Sequence, residues 1–267
     1  MNSSINILRA VGSLKNMVLE MDQKGLELGR ITKAASMLMM AGTSQNTIPE
    51  SIVQRCLRNQ CPDGGWVGVV DTVWNVSFLK WKGADDYKDA IGKGLAYIEE
   101  NRERSGLWGR SHRDMSRIPV SGMLMYLLPE MGSPERLRLL EDLWFCERNS
   151  LTYKAAYTLM AFRKHSYRPI RGDLLEQTVA WLAENQREDG GYAPWRKHPV
   201  PADVFCTGVA AIGLLQYPEL VETGTLEKAL IWLGSNQLRQ GIWPFHEIED
   251  GLAWGLWAMV ELSRCLM

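Results

Sequence analysis

The sequence lacks an apolar run long enough for a membrane span. Nothing in its 267 residues approaches the roughly 18 consecutive apolar positions such a helix needs. The first stretch (MNSSINILRAVGSLKNMVLEMDQ) has neither a continuous apolar centre nor a small-residue cleavage site, so no secretory signal is expected there. Cysteine is scarce and odd in number: Cys56, Cys61, Cys146, Cys206 and Cys265. In a chain of this size that argues against a disulfide framework and for a reducing, cytoplasmic setting. Neither charge sign dominates. Thirty Lys and Arg face 31 Asp and Glu, a net charge of −1, without the basic excess of a nucleic-acid binder. Histidine occurs only four times.

What is present is a repeat, within a chain 46% apolar and so able to bury a sizeable core. Residues 60–71 (QCPDGGWVGVVD), 186–203 (QREDGGYAPWRKHPVPAD) and 237–250 (QLRQGIWPFHEIED) share one phrase. A Gln ends a helical stretch, a Gly turns beside an aromatic, and an Asp opens the next apolar stretch. Residues 106–114 are a weaker copy. The stretches opened by those Asp residues are apolar nearly all round, as buried helices are. Six are expected, near 29–41, 71–82, 114–128, 151–163, 203–215 and 250–264. Six amphipathic stretches alternate with them, the first carried by Ile5, Leu8, Val11, Val18 and Met21. Ser133-Pro134-Glu135 reads as a capping residue followed by proline in the first turn. The pattern predicts an all-α, single-domain chain over 1–267: an (α/α)6 toroid of six inner and six outer helices.

The phrases from Gln60 to Trp66, Gln186 to Trp195 and Gln237 to Trp243 resemble the repeats of the terpenoid cyclase and protein prenyltransferase superfamily, of the squalene-hopene-cyclase-like kind. The resemblance implies a toroid with a central cavity for an isoprenoid-like substrate, and cyclase, isomerase, lyase or transferase chemistry. The family's chemical signatures are not kept in place, however. There is no D-x-D-D run, and the D-D-x-x-D spelling of the magnesium motif occurs only as Asp85 to Asp89, in the polar stretch before an outer helix. Against the prenyltransferase zinc pattern, Asp203 matches the Asp, but Phe205 falls where the Cys should be and Ala253 where the His should be. No cofactor is expected. The one set of zinc-type donors on offer is His198, Asp203, Cys206 and His246.

Every outer-to-inner connection should lie at one end of the ring. That end is expected to gather His112, His198 and His246 with Asp71, Asp114, Asp203 and Asp250, and His165 is expected at the other. His is suited to proton transfer near neutral pH. The candidate acid–base residues are therefore His246, Asp250, Asp203, His198, His112 and Asp114, although an Asp at a helix start is equally a backbone cap. Candidate substrate contacts are Trp74, Phe78, Tyr153, Lys154, Lys33, Arg117, Cys206 and Trp254. Aromatic faces there would stabilise a cation or hold any apolar ligand, and the same stripes, Trp81 included, serve equally as core packing. Cys206 reads equally as a buried, unreactive thiol. Two functions follow. One is an enzyme acting on a small apolar substrate. The other is a non-catalytic toroid that binds a ligand, a peptide or a partner subunit, as a prenyltransferase β chain does, or pairs with its own copy. No nucleic-acid partner and no integral membrane segment are expected.

Overall fold

The computed structural model describes residues 3–111 and 113–266. Twelve helices alternate outer and inner among them. The outer six are α1 (Ser3–Gln23), α3 (Glu50–Arg58), α5 (Lys88–Glu100), α7 (Pro134–Glu147), α9 (Leu174–Glu184) and α11 (Thr225–Asn236). The inner six are α2 (Leu28–Met40), α4 (Val69–Gly83), α6 (Ile118–Leu127), α8 (Thr152–Lys164), α10 (Val204–Leu215) and α12 (Ile248–Leu266). The described residues form no β-strand, only one isolated antiparallel bridge between Tyr192 and Asp203. Each inner helix packs on the next, and α12 returns to α2, closing the ring.

The inner helices are apolar all round because both of their sides are covered. In α10, every residue from Cys206 to Leu214 is buried. The outer helices bury one stripe. In α1 that stripe is Ala10, Leu14, Val18 and Met21, whereas Ile5 and Leu8 lie in water, contrary to expectation. Their positions fall off the three-and-four spacing that leads back from Met21. Ser133 caps α7 as expected, accepting a hydrogen bond from the Arg136 amide at 3.2 Å, and Pro134 follows.

The repeated phrase is a staple between neighbouring outer helices. The side-chain amide of Gln60 donates to the carbonyls of Gly64 (2.8 Å) and Ala90 (2.9 Å), the second at the start of α5. Gln186 does the same to Gly190 and Thr225. Gln237 donates to Gly241 and Asn6, which ties the last repeat to the first outer helix. Gly241 has φ +84°, and a Cβ there would sit 2.6–2.7 Å from the Arg9 backbone, so the turn has room for no side chain. The indoles of Trp66, Trp108 and Trp243 donate to Cys56, Ile98 and Leu233 respectively, each ten residues earlier. In the remaining copy this place belongs to Tyr192, not to Trp195: Tyr192 is fully buried and Trp195 is exposed.

One inner helix starts late. Asp114 does not open α6, because Arg117 is still extended and Pro119 occupies the first turn. With α6 shortened, α4 and α6 are the neighbouring inner helices that pack least closely, and the cavity opens between them.

Candidate active site

Because outer and inner helices alternate in direction, the connections 24–27, 59–68, 101–117, 148–151, 185–203 and 237–247 all lie at one end of the ring. The first turns of the inner helices surround an axial cavity there. Its wide part, 640 Å³, is bounded by Tyr153, Lys154 and Tyr157 of α8, Phe205 of α10, Phe245 and His246 of the last connection, and Asp250 of α12. Two narrower extensions adjoin it. One, of 170 Å³, lies among Lys33, Asp71, Trp74 and Asp250. The other, of 200 Å³, runs between Trp74 of α4 and Pro119 and Met123 of α6. A wide part of this size suits a small molecule.

The charged centre lies where these spaces meet. Lys33 Nζ is 2.5 Å from Asp250 Oδ1 and 5.6 Å from the ring centre of Trp74. Pairing is what makes a largely buried lysine tolerable. Asp71 faces the same extension from the first turn of α4. Burial, and then the negative charge of Glu27, hold its carboxyl above the usual range. Gly29 makes room for it, since a Cβ there would lie 2.1 Å from Asp71 Oδ1. Tyr157 is buried, and its phenol is pushed well above the ordinary value, first by burial and then by the charge of Asp250. A neutral O–H is therefore held near that carboxylate.

An aromatic wall faces this centre. Phe205 lies 6.0 Å from Tyr153 and 5.9 Å from Phe245, between ring centres. At the lip, Asp114 takes two bonds from Arg117 (2.6 and 2.9 Å) and one from the Arg110 amide, which hold its carboxyl at about 2. Lys154 pairs with Glu147. His246 is exposed at the rim, with its ring 4.2 Å from that of Phe245.

No protein-family model matches the sequence, and no curated protein is detectably similar to it. Solved structures are similar in fold. The type II terpene cyclase MstE from Scytonema, in complex with geranylgeranyl dihydroxybenzoate, superposes with a TM-score of 0.74 over 98% of this chain and 99% of that one, at 14% identity. A protein from Actinoplanes gives 0.69 at 13% identity over the whole of both chains. A possible GH105 family member from Salmonella enterica gives 0.58 at 12% identity, over 88% of this chain and 83% of that one.

The fold is a terpenoid-cyclase-like α/α toroid.

In this toroid the expected residues separate into groups. Lys33, Trp74, Tyr153, Lys154, Arg117, His246 and Asp250 all border the cavity. Asp203 does not. Its carboxylate caps α10, accepting from the Cys206 amide at 2.7 Å, and burial raises its pKa. Of the four Asp residues expected at helix starts, only Asp203 is a cap. Asp71 and Asp250 are each the third residue of their helix, and Asp114 precedes α6 altogether. Cys206 is buried, with its thiol pushed up chiefly by burial, so it is an inert core group. His198 lies away from the cavity, its ring 4.2 Å from Trp195 and its Nδ1 accepting from the Val200 amide.

Phe78 is fully buried among the helices and does not border the cavity. Trp254 is also fully buried. It stands behind the wall, 5.9 Å from both Tyr157 and Phe205. Trp81 lies at the opposite end, in a separate depression with Tyr126 and Trp257. His165 is at that end too, where its ring meets the Met125 carbonyl. His112 lies outside the described residues. Among the described residues no three His, Cys, Asp or Glu side chains group closely enough to hold a metal ion, so His198, Asp203, Cys206 and His246 do not form a zinc site.

Sequence reasoning placed Asp71 at the mouth but not among the site residues, and it passed over Phe205 and Phe245 as cavity aromatics. The signal for Asp71 was its matching place in the repeat. For the aromatics there was none, because core and cavity positions share one helical period.

Proposed function

We propose that this toroid is an acid–base enzyme that takes an apolar, isoprenoid-like substrate into the aromatic cavity and isomerises or cyclises it. The observation that carries the reading is the convergence of Asp71, Asp250, Lys33 and the Tyr157 phenol at the meeting point of an aromatic-walled space. Asp71, whose pKa is raised, would carry the proton into the site and deliver it to a substrate double bond. Trp74, Tyr153 and Phe205 would face the resulting cation with their rings. Loss of a neighbouring C–H proton to a base at the cavity wall would then end the reaction, so the product is an isomer of the substrate. Asp250 would be that base, with Lys33 and Tyr157 fixing its position. His246, Asp114 and Arg117 would act at the lip on the polar end of the substrate.

Incubation with polyprenyl substrates of graded length, followed by mass spectrometry, tests this. Products of unchanged mass and altered retention are expected. They should vanish in Asp71→Asn and Asp250→Asn while thermal unfolding stays cooperative. Turnover that survives both substitutions overturns the reading.

One observation favours a second reading. Three of the cavity charges are already neutralised by protein partners: Asp250 by Lys33, Arg117 by Asp114 and Lys154 by Glu147. Such a site suits a non-catalytic ligand-binding toroid. Tight binding of a prenyl compound that is recovered unchanged would decide for it.

A further inference from the structure

The far end of the ring holds a space of its own. Met40 of α2, Trp81 of α4, Tyr126 of α6, Leu215 of α10 and Trp257 of α12 bound a depression of 480 Å³, and none of them borders the cavity at the mouth. Trp254, fully buried, separates the two spaces. Its ring lies 5.9 Å from Tyr157 on the mouth side and 5.4 Å from Trp257 on the far side. Three aromatic rings border the far depression. Trp81 is 46% exposed, and Tyr126 and Trp257 stand with their centres 6.0 Å apart. The polar groups of these rings are uncommitted. The indoles of Trp66, Trp108, Trp144, Trp232 and Trp243 each donate to a protein acceptor. Those of Trp81 and Trp257, and the hydroxyl of Tyr126, meet no protein acceptor among the described residues. Burial, and then the charge of Glu261, push the Tyr126 phenol up to about 12, so it remains an O–H donor at neutral pH. The charges nearby, by contrast, are spent. Glu261 pairs with Arg264 at 2.6 Å, and Lys164 Nζ lies 5.7 Å from the centre of the Tyr126 ring.

We infer that this far depression is a second ligand site, which takes a neutral, planar aromatic molecule bearing a carbonyl group. The ligand's ring would lie against Trp81 and Trp257, and its carbonyl would accept a hydrogen bond from Tyr126. The volume suits a small molecule. Three rings with their centres or edges toward one space favour another ring, through offset and edge contacts. An anion would find no free cation here, since Arg264 is held by Glu261. A cation would have to displace Lys164 or Arg264 from partners already in place. A purely aliphatic chain would cover the Tyr126 hydroxyl and leave it unpaired, at the cost of its hydration. A carbonyl on a flat ring meets all three conditions: it is uncharged, it stacks, and it accepts. The inference goes beyond the catalytic reading and does not rest on it, because this site shares no residue with the mouth cavity and its binding is read without turnover.

Equilibrium dialysis of the full chain against coumarin, a neutral bicyclic lactone, tests it. Saturable binding is expected. Trp81→Ala should weaken it about tenfold or more, and Tyr126→Phe about fivefold. Naphthalene, which has the rings without the carbonyl, should bind equally to the parent and to Tyr126→Phe. Phe205→Leu, in the wall of the mouth cavity, should leave coumarin binding unchanged. Circular dichroism melts establish that each variant is folded, and Trp81→Phe combined with Leu215→Ala is the alternative should Trp81→Ala not fold. Absence of saturable binding up to the solubility limit of coumarin overturns the inference. So does binding that ignores the substitutions at Trp81 and Tyr126, or binding that is lost with Phe205→Leu instead, which would assign the ligand to the mouth cavity.

Discussion

Lys33 and Asp250 meet at 2.5 Å across the seam between the first and last inner helices, and Arg30 pairs with Glu249 beside them, so two ion pairs join the two ends of the chain inside the ring. Gln237 joins the same ends on the outside, through the carbonyl of Asn6. The closure of the toroid is thus polar on both sides of its apolar wall. The inner contacts also lie in the floor of the cavity.

Lys33→Met should be destabilising because it leaves the Asp250 carboxylate without its counter-ion. Their side chains are 26% and 13% exposed, so solvent screens the pair only in part. A loss of about 1–3 kcal/mol is expected, below the cost for a pair wholly removed from water. Urea unfolding of Lys33→Met and of Lys33→Met combined with Asp250→Asn measures it, and the second substitution should recover most of the loss. Equal destabilisation by both would mean that the methylene stem of Lys33, and not its charge, holds the seam.

Asp71 makes the stability of the protein depend on pH in a definite direction. Its carboxyl is raised in the folded state, so the proton binds more tightly there than in the unfolded chain. The favourable contribution is full below the ordinary Asp value of 3.8 and is lost as pH rises through the higher, folded value. Asp71→Asn removes the charge and should therefore be more stable than the parent at pH 7, with the difference vanishing below about pH 4. Chemical denaturation at a series of pH values reads this. A substitution that destabilises at neutral pH would show that the Asp71 carboxylate has a stabilising partner.

Tyr192 occupies the place where the other repeats put a tryptophan that donates to a carbonyl ten residues earlier. Its hydroxyl is buried, with no hydrogen-bond partner among the described residues. Tyr192→Phe removes an unsatisfied polar atom and keeps the ring. It should leave stability unchanged or raise it by about 1 kcal/mol. A fall in melting temperature of several degrees would contradict this and indicate an ordered water on the hydroxyl.

The repeat carried most of the architecture into the sequence. Gln, Gly and aromatic recur at fixed offsets because each copy must turn tightly, staple the next outer helix and fill the same gap. The all-round apolar stretches mark the inner layer because a helix covered on both sides has no face to offer water. Alternation of the two kinds places all the outer-to-inner connections at one end, which is why the location of the mouth is legible in the sequence.

The chemistry of that mouth was not legible, and the reason is geometric. Asp71, Asp114, Asp203 and Asp250 look equivalent in the repeat, yet one caps a helix, one is held by Arg117, one is paired with Lys33 and one is left with a raised pKa. Their fates depend on whether α6 begins at 114 or 118 and on which side chain of a neighbouring helix lies opposite. Both are properties of contacts between residues distant in the chain. Phe78 and Trp254 likewise share the period of Trp74 and Tyr157, but a fraction of a turn of rotation in the ring decides which of them touch the cavity. The sequence by itself determined that there would be a ring and which end would be open. Only the packing of helix on helix decided which carboxylate stands free inside it.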